Sequence, residues 1–145
     1  MSYSIDVNIF VHAANPRDKH HQQQAICFLE EKLNDSELLF LPWMTLMSYQ
    51  RITTHPSVFP DPLTPKEAWK NIEDLLALPQ VRIIGEDESF AHHYLQATSE
   101  FPVRGNLVSD AHLAAILRQH GVKTIYSADS DFRKFSFLKV INPLR

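Results

Sequence analysis

Five short apolar runs, separated by longer amphipathic stretches, constrain this chain more than any other feature. The runs are Tyr3-Ser4-Ile5, Leu38-Leu39-Phe40-Leu41, Val81-Arg82-Ile83-Ile84, Lys123-Thr124-Ile125-Tyr126 and Lys139-Val140-Ile141. Each has the length of a strand. Asp6, Pro42, Gly85 and Pro143 close four of them, and Gly121 precedes the one beginning at Lys123. Helical patterns lie between, over about 19–34, 43–54, 65–78, 88–99 and 107–120. Thr64-Pro65 supplies an N-cap with proline at the first helical position, and Glu67 completes a capping pattern. Gly121 sits where a helix ending at His120 needs a left-handed residue. Strands alternating with helices of this length predict an α/β fold, a parallel sheet with helices on both faces. Sites in such sheets gather at the carboxyl ends of the strands.

The length of 145 residues matches one domain, residues 1–145. The one cysteine, Cys27, excludes an intramolecular disulfide and a cysteine-built zinc site. No window approaches 18 apolar residues, so no membrane span is expected. The opening Met1-Ser2-Tyr3-Ser4-Ile5 has no basic n-region, and a cytoplasmic protein is the expectation.

Net charge is −3, which argues against a nucleic-acid binder that relies on bulk charge. The distribution is more informative. Residues 1–100 hold 14 acids and 7 bases, whereas residues 101–145 hold 7 bases and only Asp110, Asp129 and Asp131 as acids. Asp6 directly follows the first strand and Asp129 closely follows the fourth, so both belong on one sheet edge. On a helix, Asp110 shares a face with Leu113, Ala114 and Leu117, the apolar inward face. A carboxylate there costs several kcal/mol unless an arginine or a cation relieves it. Carboxylates converging at a sheet edge repel one another, and their natural counter-ion is a hard cation such as Mg²⁺ or Mn²⁺. With Asp6, Asp110, Asp129 and Asp131 set aside, 13 acids face 14 bases, so the remaining surface does not exclude RNA. Each acid also has a plainer reading. Asp6 suits an Asx turn or the N-cap of a segment starting near Asn8, Asp110 an N-cap, and Asp129 and Asp131 the capping of a turn over Ser130–Lys134.

Four segments in order carry a resemblance. Ile5-Asp6-Val7-Asn8 resembles an Asp-x-Asn opening. Arg51-Ile52-Thr53-Thr54-His55-Pro56 resembles an Arg-x-x-Thr-x-Pro segment. Asp110-Ala111-His112-Leu113-Ala114 resembles an Asp-Ala-His-Leu-Ala helix, and Ser127-Ala128-Asp129-Ser130-Asp131-Phe132 a Thr-x-Asp-x-Asp-Phe loop. Together they resemble the PIN-domain ribonucleases, in particular the VapC-type toxins of bacterial toxin–antitoxin pairs, over about residues 3–144. The resemblance implies a three-layer α/β/α fold with a parallel sheet of about five strands. It also implies a metal-dependent endoribonuclease. Asp6, Asp110 and Asp129 correspond to the acidic metal ligands, with Asp131 as a further catalytic acid, and Mg²⁺ or Mn²⁺ as cofactor. Implied partners are RNA, a small cognate antitoxin and a second copy of the chain. Asn8 and Ser127, within the matching motifs, are candidate substrate contacts. So is Arg51, which otherwise forms an ion pair. Arg133, beside the acidic loop with Lys134, is a candidate for the RNA backbone. The family commonly has a glutamate three residues before this arginine, where the present chain has Ser48. Its absence bears on a second metal position, and a PIN-like module that binds RNA or protein without turnover is the alternative. A DNA-directed nuclease of the related flap type is a third option, but the chain lacks added DNA-binding elements.

Of the eight histidines, His20-His21 and His92-His93 are adjacent on predicted helices. Neighbours on a helix point about 100° apart, so neither pair makes a bidentate clamp. The apolar helical stretches near 26–33 and 43–52 are candidates for an antitoxin groove.

Overall fold

The computed structural model describes residues 2–145, Met1 lying outside that range. The strands are β1 (Ser2–Ile5), β2 (Leu38–Pro42), β3 (Val81–Ile84), β4 (Thr124–Tyr126) and β5 (Lys139–Ile141). The helices are α1 (Val7–Ala13), α2 (Lys19–Leu33), α3 (Trp43–Thr53), α4 (Pro65–Leu76), α5 (Phe90–Ala97) and α6 (Leu107–Gln119), with a short 3-10 helix over Ser130–Lys134. The five strands form a parallel sheet in the order β3-β2-β1-β4-β5. The expected three-layer architecture is present. None of the helices among the described residues is long and apolar enough to cross a membrane.

Local sequence explains most of these boundaries. Thr64 Oγ1 accepts from Glu67 N (3.1 Å) and Glu67 Oε1 accepts from Thr64 N (2.9 Å), a reciprocal capping box with Pro65 at the first helical position. Gly121 takes φ +70° after α6. The Val122 amide donates to Leu117 O (2.9 Å) and that of Gly121 to Arg118 O (3.1 Å), closing the helix as a Schellman motif. The helix α5 is shorter than the pattern over 88–99, and α1 is absent from the five helical patterns.

The pleat divides the core in two. Tyr3, Ile5, Leu39, Leu41 and Val81 face one side and pack with Ile9, Ala25, Leu46, Tyr49, Ala68 and Ile72 from α1, α2, α3 and α4. Ile84 and Ile125 face the other side. They pack with Ala111, Leu113, Ala114, Ile116 and Leu117 of α6 and with Phe132 and Phe135. The inward face assigned to α6 is thus the buried one. The sheet order reverses between β1 and β4, which are neighbours. At such a switch point the connections leave in opposite directions and open a crevice at the strands' carboxyl ends.

Candidate metal centre

The crevice between β1 and β4 is where the aspartates meet. Asp6 leaves β1 and its backbone amide still donates to Tyr126 O of β4 (2.9 Å). Its side chain caps α1, Oδ1 accepting from Val7 N (2.8 Å). Asp110 lies in the first turn of α6. Because α6 runs antiparallel to the strand that follows it, its first turn returns to the same edge. Asp129 follows β4 and caps the 3-10 helix, Oδ1 accepting from Asp131 N (2.9 Å).

One buried hydroxyl joins these pieces. Ser127 is 1% exposed. Its Oγ donates to Asp6 Oδ2 (2.7 Å) and accepts from Asp129 N (2.9 Å) and from Asn8 Nδ2 (3.4 Å). Asn8 Oδ1 in turn accepts from Ala128 N (3.3 Å). The loop after β4 is thereby tied to the start of α1.

Asp110, Asp129 and Asp131 each offer an oxygen within 4.8 Å of the others. Asp6 is not in this group but adjoins it, and its charge is felt at Asp110. Burial, then the charges of Asp129, Asp6 and Asp131, push the Asp110 carboxyl up to about 6, while Lys134 pulls it down. Burial also raises the Asp6 carboxyl. Hydrogen bonds from Ser127 and Val7 oppose the rise, and Asp129 adds to it. Among the described residues no lysine, arginine or histidine forms a salt bridge with any of the four. The guanidinium that would relieve Asp110 in another way is therefore absent from these residues. An all-oxygen donor set with unpaired charge fits a hard divalent cation.

The PIN domain family profile matches residues 3–138 of the chain. This chain belongs to the PIN-domain family. The chain is 39% identical over 143 residues to ribonuclease VapC48 of Mycobacterium tuberculosis, covering 99% of this chain and 98% of that protein. It is 34% identical over 140 residues to ribonuclease VapC43 of the same organism, covering 97% and 94%. Among solved structures, VapBC2 from Rickettsia felis bound to a promoter DNA fragment shares the fold, with a TM-score of 0.67 at 16% identity over 98% of both chains. These relatives put the chain in the VapC branch of the PIN domains.

The remaining candidate residues of this PIN domain are placed differently from one another. Ser127 uses its hydroxyl on Asp6 and on the loop, and Asn8 uses its side-chain amide on Ser127 and Ala128 N. Arg133 and Lys134 are exposed beside the acidic loop. Arg51 is exposed on the last turn of α3, with no salt bridge among the described residues. It stands roughly 12 Å of helix axis beyond the strand edge where α3 begins. Ser48 is half-buried on α3, a helix that contributes no carboxylate to this PIN domain. The linking role of Ser127 has a sequence signal, since a small hydroxyl residue two positions before Asp129 suits an ST turn. Its bond to Asp6, 121 positions away, has none.

Proposed function

We propose that this chain is a Mg²⁺- or Mn²⁺-dependent endoribonuclease, the toxin of a toxin–antitoxin pair. The observation that carries the reading is the meeting of Asp110, Asp129 and Asp131 beside Asp6 with no paired cationic side chain. Asp110, Asp129 and Asp131 would hold the ion, with the charge of Asp6 beside them. A divalent ion bound there would supply Lewis-acid charge, easing deprotonation of an attacking water and stabilising charge on the phosphodiester. The chain's own residues prepare that event. Ser127 and Val7 fix both oxygens of Asp6, and the Asp131 amide fixes Asp129. Arg133 and Lys134 meet the phosphates of the entering strand and set its register without reading its bases.

An apolar groove of about 430 Å³ lies between α1, α2, α3 and α4, lined by Phe10, Leu29, Leu33, Leu46 and Leu75 among others. It fits the apolar face of an amphipathic antitoxin helix. Trp43 and Met47 stand exposed one turn apart on α3 (45% and 49%) and supply a surface for a second copy.

The test replaces Asp110 with Asn and measures cleavage of single-stranded RNA, tRNA and duplex DNA with Mg²⁺ and with chelator. A metal ligand supplying several kcal/mol of charge stabilisation predicts a loss of at least about a hundredfold. Undiminished cleavage by the variant overturns the assignment. Ser48 favours one other reading, a binding module without turnover. Mn²⁺ titration of the parent chain decides between them, absence of binding supporting the module.

A further inference from the structure

The histidines that are neighbours in sequence do not make a metal clamp, but the fold brings a different pair together. α1 ends at Ala13 and α2 begins at Lys19, so the chain reverses within residues 14–18. His12 lies in the last turn of α1, Asp18 caps α2, and His21 lies in the first turn of α2. Each of the three offers a ligand atom within 4.8 Å of the other two. Asp18 Oδ2 is 2.7 Å from His21 Nδ1, and its Oδ1 accepts from the His21 amide (3.3 Å). The rings of His12 and His21 are 5.2 Å apart between centroids.

The corner is held before any ion arrives. Gln22 Nε2 donates to Ala13 O (3.2 Å), the Arg17 amide to Asn15 Oδ1 (3.1 Å), and Arg17 pairs with Asp61 (3.1 Å). All three candidate ligands are partly exposed and reachable from solvent. Among the described residues, nothing hydrogen-bonds to the ring nitrogens of His12. His20 is not part of the set, because its Nε2 meets Arg145 O (2.9 Å).

We infer that His12, Asp18 and His21 form a second metal site, selective for a Zn²⁺-class ion and distinct from the aspartate cluster. Two imidazoles and one carboxylate suit borderline d-block ions, whereas the all-oxygen set of Asp110, Asp129 and Asp131 suits Mg²⁺ or Mn²⁺. Donor chemistry thus sorts two ions into two places on one small chain. Three protein ligands leave a fourth position for water. α1 connects the two sites, since Asp6 caps its first residue and His12 lies in its last turn, roughly 9 Å further along the axis. An ion at the corner pins the far end of the helix whose near end holds Asp6. The inference does not depend on the ribonuclease reading.

The experiment uses the full, untagged chain, with Zn²⁺ followed by calorimetry and Co²⁺ by its visible absorption. The Asp110→Asn, Asp129→Asn double variant disables the aspartate cluster and is expected to keep its Zn²⁺ affinity. His12→Gln and Asp18→Asn are each expected to weaken Zn²⁺ at least as much as the roughly ten- to hundredfold that outer-shell partners command. Asparagine still caps a helix, so Asp18→Asn tests the ligand rather than the fold. As a check independent of variants, the imidazole ¹⁵N signals of His12 and His21 in the parent shift on adding Zn²⁺. Zn²⁺ uptake that follows Asp110 and Asp129, uptake that survives His12→Gln or Asp18→Asn, or imidazole signals that stay in place each overturn the site.

Discussion

Ser127 carries more of the candidate site than any acid does, because one buried hydroxyl satisfies Asp6 and receives Asn8 and the Asp129 amide. Ser127→Ala leaves buried Asp6 Oδ2 without its donor. The expected cost is about 1–3 kcal/mol in urea denaturation, and a roughly ten- to hundredfold weaker Mn²⁺ affinity by calorimetry. Asp110 sets a pH dependence. Its carboxyl is pushed up to about 6 in the folded chain, above the unfolded value near 4. The folded metal-free chain therefore binds more protons than the unfolded one between those values, and its stability falls as pH rises from about 4 to about 6. Asp6, also raised, acts in the same direction. Denaturant melts in chelator across that range check the slope, and Asp110→Asn is expected to flatten it. At this scale the plain and the functional readings of the sequence coincide. Asp129 caps the 3-10 helix with Oδ1 and is also one of the clustered carboxylates, while Asp6 caps α1 with Oδ1, accepts from Ser127 with Oδ2 and adjoins the cluster.

Among the elements, those with strong local signals were legible. The Thr64–Glu67 box and the glycine stop of α6 needed only neighbouring residues. Gly121→Ala is expected to cost about 1–2 kcal/mol, because an alanine at φ +70° brings Cβ against the following carbonyl. A thermal melt beside an Ala substitution at half-buried Gly85, which has no positive φ and room for a Cβ, isolates the effect. Of α1 only the start was legible, through Asp6 as a candidate N-cap. Val7, Ile9 and Val11 alternate like a strand. The Asp6 cap and packing against α2 and α3 decide for helix instead.

For the whole molecule, the reversal of strand order between β1 and β4 does what no single element does. It brings the ends of two strands and the first turn of α6 to one edge, and concentrates negative charge there. An ion bound by the folded chain alone stabilises it, so Mn²⁺ at about a hundredfold its Kd is expected to add about 2.7 kcal/mol. Thermal melts with and without Mn²⁺ measure this, and the gain is expected to vanish in Asp110→Asn, Asp129→Asn. The sequence by itself determined the alternation of strands and helices, the caps that end them, the family and the acids worth watching. These follow from periodicity, turn chemistry and motif order, which act over a few residues or are visible in the chain's order. Only the tertiary structure decided that Asp131 joins Asp110 and Asp129, that Ser127 reaches Asp6, and that His12 and Asp18 meet His21 at one corner. Those contacts depend on how crossovers and corners return the chain to itself, and no local pattern records the distance between residues a hundred positions apart.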